Sequence, residues 1–167
     1  SNALLKVLCR RHFSIEPRWR TRAQGDSPAR WLGRGKGDAV LVIGNQALAM
    51  SGNFPHEYDL GREWWRLTGL PFVFALWTVR PAVKTDDLSR VLRYSLRLGL
   101  RHLTLIANEA ARALDLSPLL CFRYLRKMIR YRLTARAWRG MAKFFDLCAQ
   151  MGLCQDQPPR DLAKWVH

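Results

Sequence analysis

The residues best placed for chemistry in this chain are Asp59, Leu60 and Gly61, which gather a carboxylate and two backbone N–H groups into one tight turn. Such a turn just before a helix is either purely structural or leaves its first amides, which have no carbonyl above them to accept their hydrogens, open to a ligand. An amphipathic segment carrying Trp64 and Trp65 follows and stops at Thr68-Gly69. The second candidate is Gly44-Asn45, at the carboxyl end of the apolar run Asp38-Ala39-Val40-Leu41-Val42-Ile43. Asn45 suits either the N-cap of a helix over 46–50 or the presentation of its amide to a ligand, and the two roles are compatible. The carboxyl edge of an open α/β sheet is where ligands bind, since loops and helix N-termini converge there. His56 sits in the polar connection from Ser51 to Glu57 and reads as a solvated loop residue without a catalytic partner.

Other patterns exclude more than they suggest. The glycines from Gly33 to Gly37 lack the Gly-Lys-Ser/Thr ending that leads a phosphate loop into a helix. Cys9, Cys121, Cys148 and Cys154 form no CxxC pair and have no histidine at zinc spacing, so they read as reduced core thiols. That reading favours a cytoplasmic protein in which these cysteines hold no metal. The apolar runs fall far short of the ~20 residues that cross a bilayer, which argues against a membrane partner. The formal charge of +15 comes mostly from 22 Arg against 6 Lys and raises the question of an anionic partner. Arg90, Arg93, Arg97 and Arg101 line one side of a helix, but only Tyr94 accompanies them and no nucleic-acid-binding signature is present. A solvated face is the simpler account, so nucleic acid is not the expected partner.

The elements that must position these residues follow from periodicity and breakers. Ala3 to Phe13 predicts a helix ended by Ser14-Ile15-Glu16-Pro17, and Arg18 to Thr21 alternates as a strand does. Further strands are expected over Asp38 to Ile43 and Phe72 to Trp77, with turn residues at Gln24 to Pro28 and one helical turn at Ala29 to Leu32. Helical spacing begins at Thr85-Asp86-Asp87, with Leu88, Leu92, Ser95, Gly99, Leu103 and Ile106 on one side. It breaks at Leu114 to Pro118, where Ser117 is the expected N-cap and Pro118 the first-turn residue. Leu120, Tyr124, Met128 and Tyr131 then predict an apolar face. A last helix over Ala135 to Met151 turns Trp138, Met141, Phe144, Phe145 and Cys148 inward and stops at Gly152. The tail from Gln155 to His167 reads as an appendage with Trp165 as its only anchor.

Three stretches carry a resemblance: Asp38 to Asn45, Tyr58 to Gly61 with Trp64, and Thr68-Gly69-Leu70-Pro71-Phe72-Val73-Phe74-Ala75-Leu76-Trp77. Together they resemble the chorismate dehydratase family of menaquinone biosynthesis by the futalosine route. Tyr124-Leu125, Ile129 to Tyr131 and Phe144-Phe145 to Gly152-Leu153 are similar to its closing helices. The resemblance implies an α/β chain, a type 2 periplasmic-binding-protein-like second lobe followed by a C-terminal helical region. Residues 1–77 would be that lobe with its crossing strand, 78–154 the helical return, and 155–167 a tail. The first lobe would lie outside the chain, and Ser1-Asn2-Ala3 reads as a cleaved-tag remnant. The implied substrate is a small dicarboxylate held by Gly44, Asn45, Asp59, Leu60 and Gly61 without a metal or an organic cofactor, with no catalytic residue assigned and the fragment inactive alone. The family commonly carries an aspartate where this chain has Asn45, which leaves open an amide in an orienting role or a lost proton-handling group. Two other readings stay beside this one, a solute-binding protein of the same fold and a nucleic-acid-binding helical module. Pairing with a second copy is a further expectation for a lobe whose partner lobe is missing.

Overall fold

The computed structural model describes residues 1–21, 27–33, 35, 37–80 and 85–154. In chain order its helices are α1 (Asn2–Arg11), α2 (Pro28–Gly33), α3 (Gly44–Met50), α4 (Leu60–Thr68), α5 (Thr85–Arg101), α6 (Leu103–Leu114), α7 (Pro118–Arg123), a π-helical turn (Tyr124–Met128) and α8 (Ala135–Gln150). They fall into two units. One joins Ser1–Phe74 to the described residues from Thr134, and the other is Ala75–Leu133.

The first unit is built on α1, α4 and α8. Leu4, Val7 and Leu8 recur at the i, i+3, i+4 spacing that brings side chains to one helix face, and all three are fully buried. They pack with Trp64 of α4 and with Leu147 and Cys148 of α8. The Trp64 ring meets Phe72 and Phe144 edge-on, with centroids 5.5 and 5.9 Å away. Side chains of this size buried completely contribute roughly 1.5–3 kcal/mol each, which makes this cluster the main source of the unit's stability. Gly140 lets the chain at Leu70-Pro71 lie directly on α8, since a Cβ there would run into the Pro71 carbonyl. Arg136 ties the same region together. Its guanidinium donates to the Gly69 carbonyl at 2.7 Å and stacks over Trp65 at 4.5 Å.

Local signals place the ends of these helices. Asp59 caps α4, and Gly69 closes it in the left-handed conformation with φ 66°. Thr134 caps α8 by accepting the Ala137 N–H. Gly152, also left-handed, ends α8 as its position predicts.

In the second unit, α6 and α7 share a small core of Ala107, Ala111 and Cys121. Short side chains allow the two helices to approach closely. Ser117 stands at the N-cap of α7 with proline in the first turn, as the sequence indicates. Two features differ from the periodicity. The helix from Thr85 breaks at His102, whose N–H is shared between the Leu98 and Gly99 carbonyls, and Ser95 is exposed. Beyond α7 the helix widens into a π-turn and ends, leaving Tyr124, Met128 and Tyr131 exposed where an apolar face was expected.

The expected α/β fold is overturned. Among the described residues there is no β-strand, so the type 2 periplasmic-binding-protein-like lobe is not what this chain forms. Residues 18–21, 38–43 and 71–80 are not helical, yet none lies in a ladder. The physical reason is that extended backbone becomes a strand only when a neighbour takes its N–H and C=O groups. Without one, the apolar runs also lose their cover: Ile43 is 61% and Trp77 85% exposed. Part of the expected turn at 24–28 and the whole 155–167 tail lie outside the described residues.

Candidate functional site

The turn at Asp59 is formed as its residues dictate. Asp59 is extended, its Oδ1 accepts the Arg62 N–H at 2.7 Å, and its backbone carbonyl accepts the Glu63 N–H at 3.0 Å. Among the described residues, the N–H groups of Leu60 and Gly61 have no protein acceptor, so these two amides remain to meet an anion. Leu60 anchors the turn by packing its side chain on the Leu4-Trp64 core. Gly61 is half-buried. A Cβ on it would stand 3.2 Å from Asp59 Oδ1 and 3.3 Å from the Phe74 ring, so the ring lies over the turn. Asp59 is thus occupied as a cap, and what the turn offers a ligand is backbone.

Gly44 and Asn45 form the start of α3. Gly44 has φ 66°, a conformation that glycine adopts without a Cβ penalty, and Ile43, not Asn45, occupies the cap position. Asn45 is exposed. Among the described residues no hydrogen bond or ring contact joins Gly44 or Asn45 to the Asp59 turn.

A third group near the turn is one that the sequence reading does not single out. Glu63, one turn after Asp59, is 3% exposed yet charged by type. Its Oε2 lies 3.0 Å from His12 Nε2 and its Oε1 accepts from the Arg66 guanidinium at 2.8 Å. His12 ends α1, and its ring packs against Phe13, which Tyr58 meets edge-on at 5.4 Å. With both oxygens bonded, Glu63 locks the end of α1 to the first turns of α4 and holds the Asp59 turn in place. A separation of 51 residues between His12 and Glu63 hides this pair from sequence reasoning. The available hint is an acidic residue directly before two tryptophans on an amphipathic helix.

Glu57 shapes the approach to the turn. Its carboxylate accepts the Gly52 N–H from both oxygens and the Phe54 N–H from one, and these bonds hold its carboxyl below the usual 4.5. His56 beside it is exposed. On α5, Arg90, Arg93, Arg97 and Arg101 are all exposed, and Arg90 pairs with Asp87 at 2.9 Å. No group of three or more His, Cys, Asp or Glu side chains able to hold a metal occurs among the described residues. None of the described helices is long and apolar enough to cross a membrane.

Comparison with known proteins decides the family. The sequence model of a family described as menaquinone biosynthesis matches residues 1–150. The chain belongs to that family. Among curated proteins, this family member is similar to a chorismate dehydratase of Thermus thermophilus, 34% identical over 129 residues that cover 65% of this chain and 46% of the relative. The chain therefore spans less than half the length of the curated relative it matches.

Proposed function

We propose that this family member takes part in the dehydration of chorismate, a hydro-lyase step of menaquinone biosynthesis. The observation that carries the reading is the 34% identity to a chorismate dehydratase within a family match that spans residues 1–150. The reaction removes a ring proton and expels the ring hydroxyl as water, giving 3-[(1-carboxyvinyl)oxy]benzoate, and aromatisation of the ring drives it. Such a step needs a proton acceptor, a donor to the departing hydroxyl and anchors for two carboxylates. The Asp59-Leu60-Gly61 turn supplies one anchor through its two unpaired amides, and Gly44-Asn45 supplies further polar contacts to the substrate. The proton acceptor and the donor to the departing hydroxyl are not assigned to residues of this chain.

A chimera tests this reading. In it, the residues of the Thermus thermophilus protein that match this chain are replaced by this chain, and the product is followed by proton NMR. Formation of the benzoate with loss of water is expected. Chorismate bound without turnover would sink the enzyme reading and favour a solute-binding role, and neither binding nor turnover would end both. In an active chimera, Gly61→Ala is expected to raise KM for chorismate, because the added methyl presses on the Asp59 carboxylate and the Phe74 ring.

A further inference from the structure

The end of α8 brings two thiols together. Gly152 turns the chain back in the left-handed conformation, and the Leu153 N–H bonds to the Cys148 carbonyl at 2.8 Å, the long closing bond of a helix terminus. This reversal carries Cys154 over the last turns of the helix. Its Sγ lies 3.8 Å from the Phe145 carbonyl oxygen, which sits one helical turn below Cys148 on the same face. Cys154 packs against the core cluster to which Cys148 belongs, and burial first, then the neighbouring Cys154 thiol, pushes the Cys148 thiol up to about 11. Cys148 is 2% exposed, whereas Cys154 is only half-buried. Cys9 serves as a contrast, since burial alone raises its thiol.

We propose that Cys148 and Cys154 are a modification site, a dithiol that closes into a reversible disulfide by exchange with a low-molecular-weight disulfide such as oxidised glutathione. The thiolate of Cys154 attacks the small disulfide, whose S–S bond breaks and releases one small thiol. A mixed disulfide then stands on Cys154. Cys148, giving its proton to solvent, attacks the Cys154 sulfur and expels the second small thiol. Two electrons pass from the protein pair to the small disulfide, and one S–S bond replaces another. The staple fixes Met151, Leu153 and Cys154, which pack against the Leu4-Trp64 core, to the helix they fold over. The buried Cys148, whose thiol burial pushes up, makes the second step slow and dependent on its thiolate fraction, so closure accelerates as pH rises.

The test uses the full chain titrated with oxidised glutathione. Met151 lies between the two cysteines, so cyanogen bromide cleavage followed by mass spectrometry shows whether the two sides stay joined until reduced. Expected are joint loss of the Cys148 and Cys154 thiols, release of two small thiols per chain, and closure that speeds up from pH 7 to 9. In Cys154→Ser, Cys148 is expected to stay reduced. A stable glutathione adduct on Cys154 that never closes at pH 9 would overturn the proposal, as would a bridge from either residue to Cys9. If Cys154→Ser fails to fold, the same peptide map on the unsubstituted chain decides alone.

Discussion

Glu63 is the residue whose loss should cost most per atom near the site. Its two oxygens are bonded inside a nearly water-free position, so a substitution strands His12 and loosens the α1–α4 contact. Glu63→Gln keeps the shape and removes the charge, and we expect a loss of roughly 1–2 kcal/mol in urea denaturation. Arg66→Gln should stay within about 0.5 kcal/mol, because the Arg66 side chain is 58% exposed and water replaces it. Equal costs at the two positions would contradict this division. Glu57 makes a pH-dependent contribution of defined sign. Its folded carboxyl is held below 4.5 by the Gly52 and then the Phe54 N–H, so the contribution is present above the ordinary value and fades as pH falls through the folded one. The amide proton shifts of Gly52 and Phe54 should titrate together below pH 4.5 and stop doing so in Glu57→Gln.

Among the elements, α8 depends on close approach to the Leu70-Pro71 segment. Gly140→Ala puts a methyl into the Pro71 carbonyl and against Leu70 Cβ at 3.4 Å. Backbone cannot swing aside as a flexible side chain does, so a drop of about 2–3 kcal/mol in stability is expected, read from the denaturant midpoint. An unchanged midpoint would mean that this segment is not seated on the helix. Several helix ends were readable because each depends on neighbours in sequence: Gly69 and Gly152 as stops, Ser117 as a cap and Pro118 as a first-turn residue. The runs at 38–43 and 72–77 were not, because a strand's identity rests on a partner that the run itself does not encode.

For the molecule as a whole, the division into two units has a measurable consequence. Leu8 is fully buried in the first unit, and Leu8→Ala should cost about 2–5 kcal/mol there. Hydrogen exchange is expected to accelerate in α1, α4 and α8 while α6 and α7 keep their protection. Equal loss of protection across α6 and α7 would show one cooperative body instead. The charge of +15 acts at this scale as well, since the α5 arginines are exposed and nothing in the described residues gathers them around a base-reading surface.

By itself the sequence determined the family, through the runs at 38–45, 58–64 and 68–77, and it determined most helices with the ends at Gly69, Ser117 and Gly152, since both rest on short-range residue order. It also located the Asp59 turn, whose unpaired Leu60 and Gly61 amides follow from helix geometry alone. Tertiary structure decided the rest. It alone showed that the apolar runs find no ladder among the described residues. The bonds from His12 to Glu63 and from Arg136 to Gly69, and the backbone reversal that sets Cys154 beside Cys148, likewise emerged only from the folded chain. Each depends on how the chain returns to itself, and local propensity carries no information about which distant segment will arrive to complete a hydrogen bond or cover a ring.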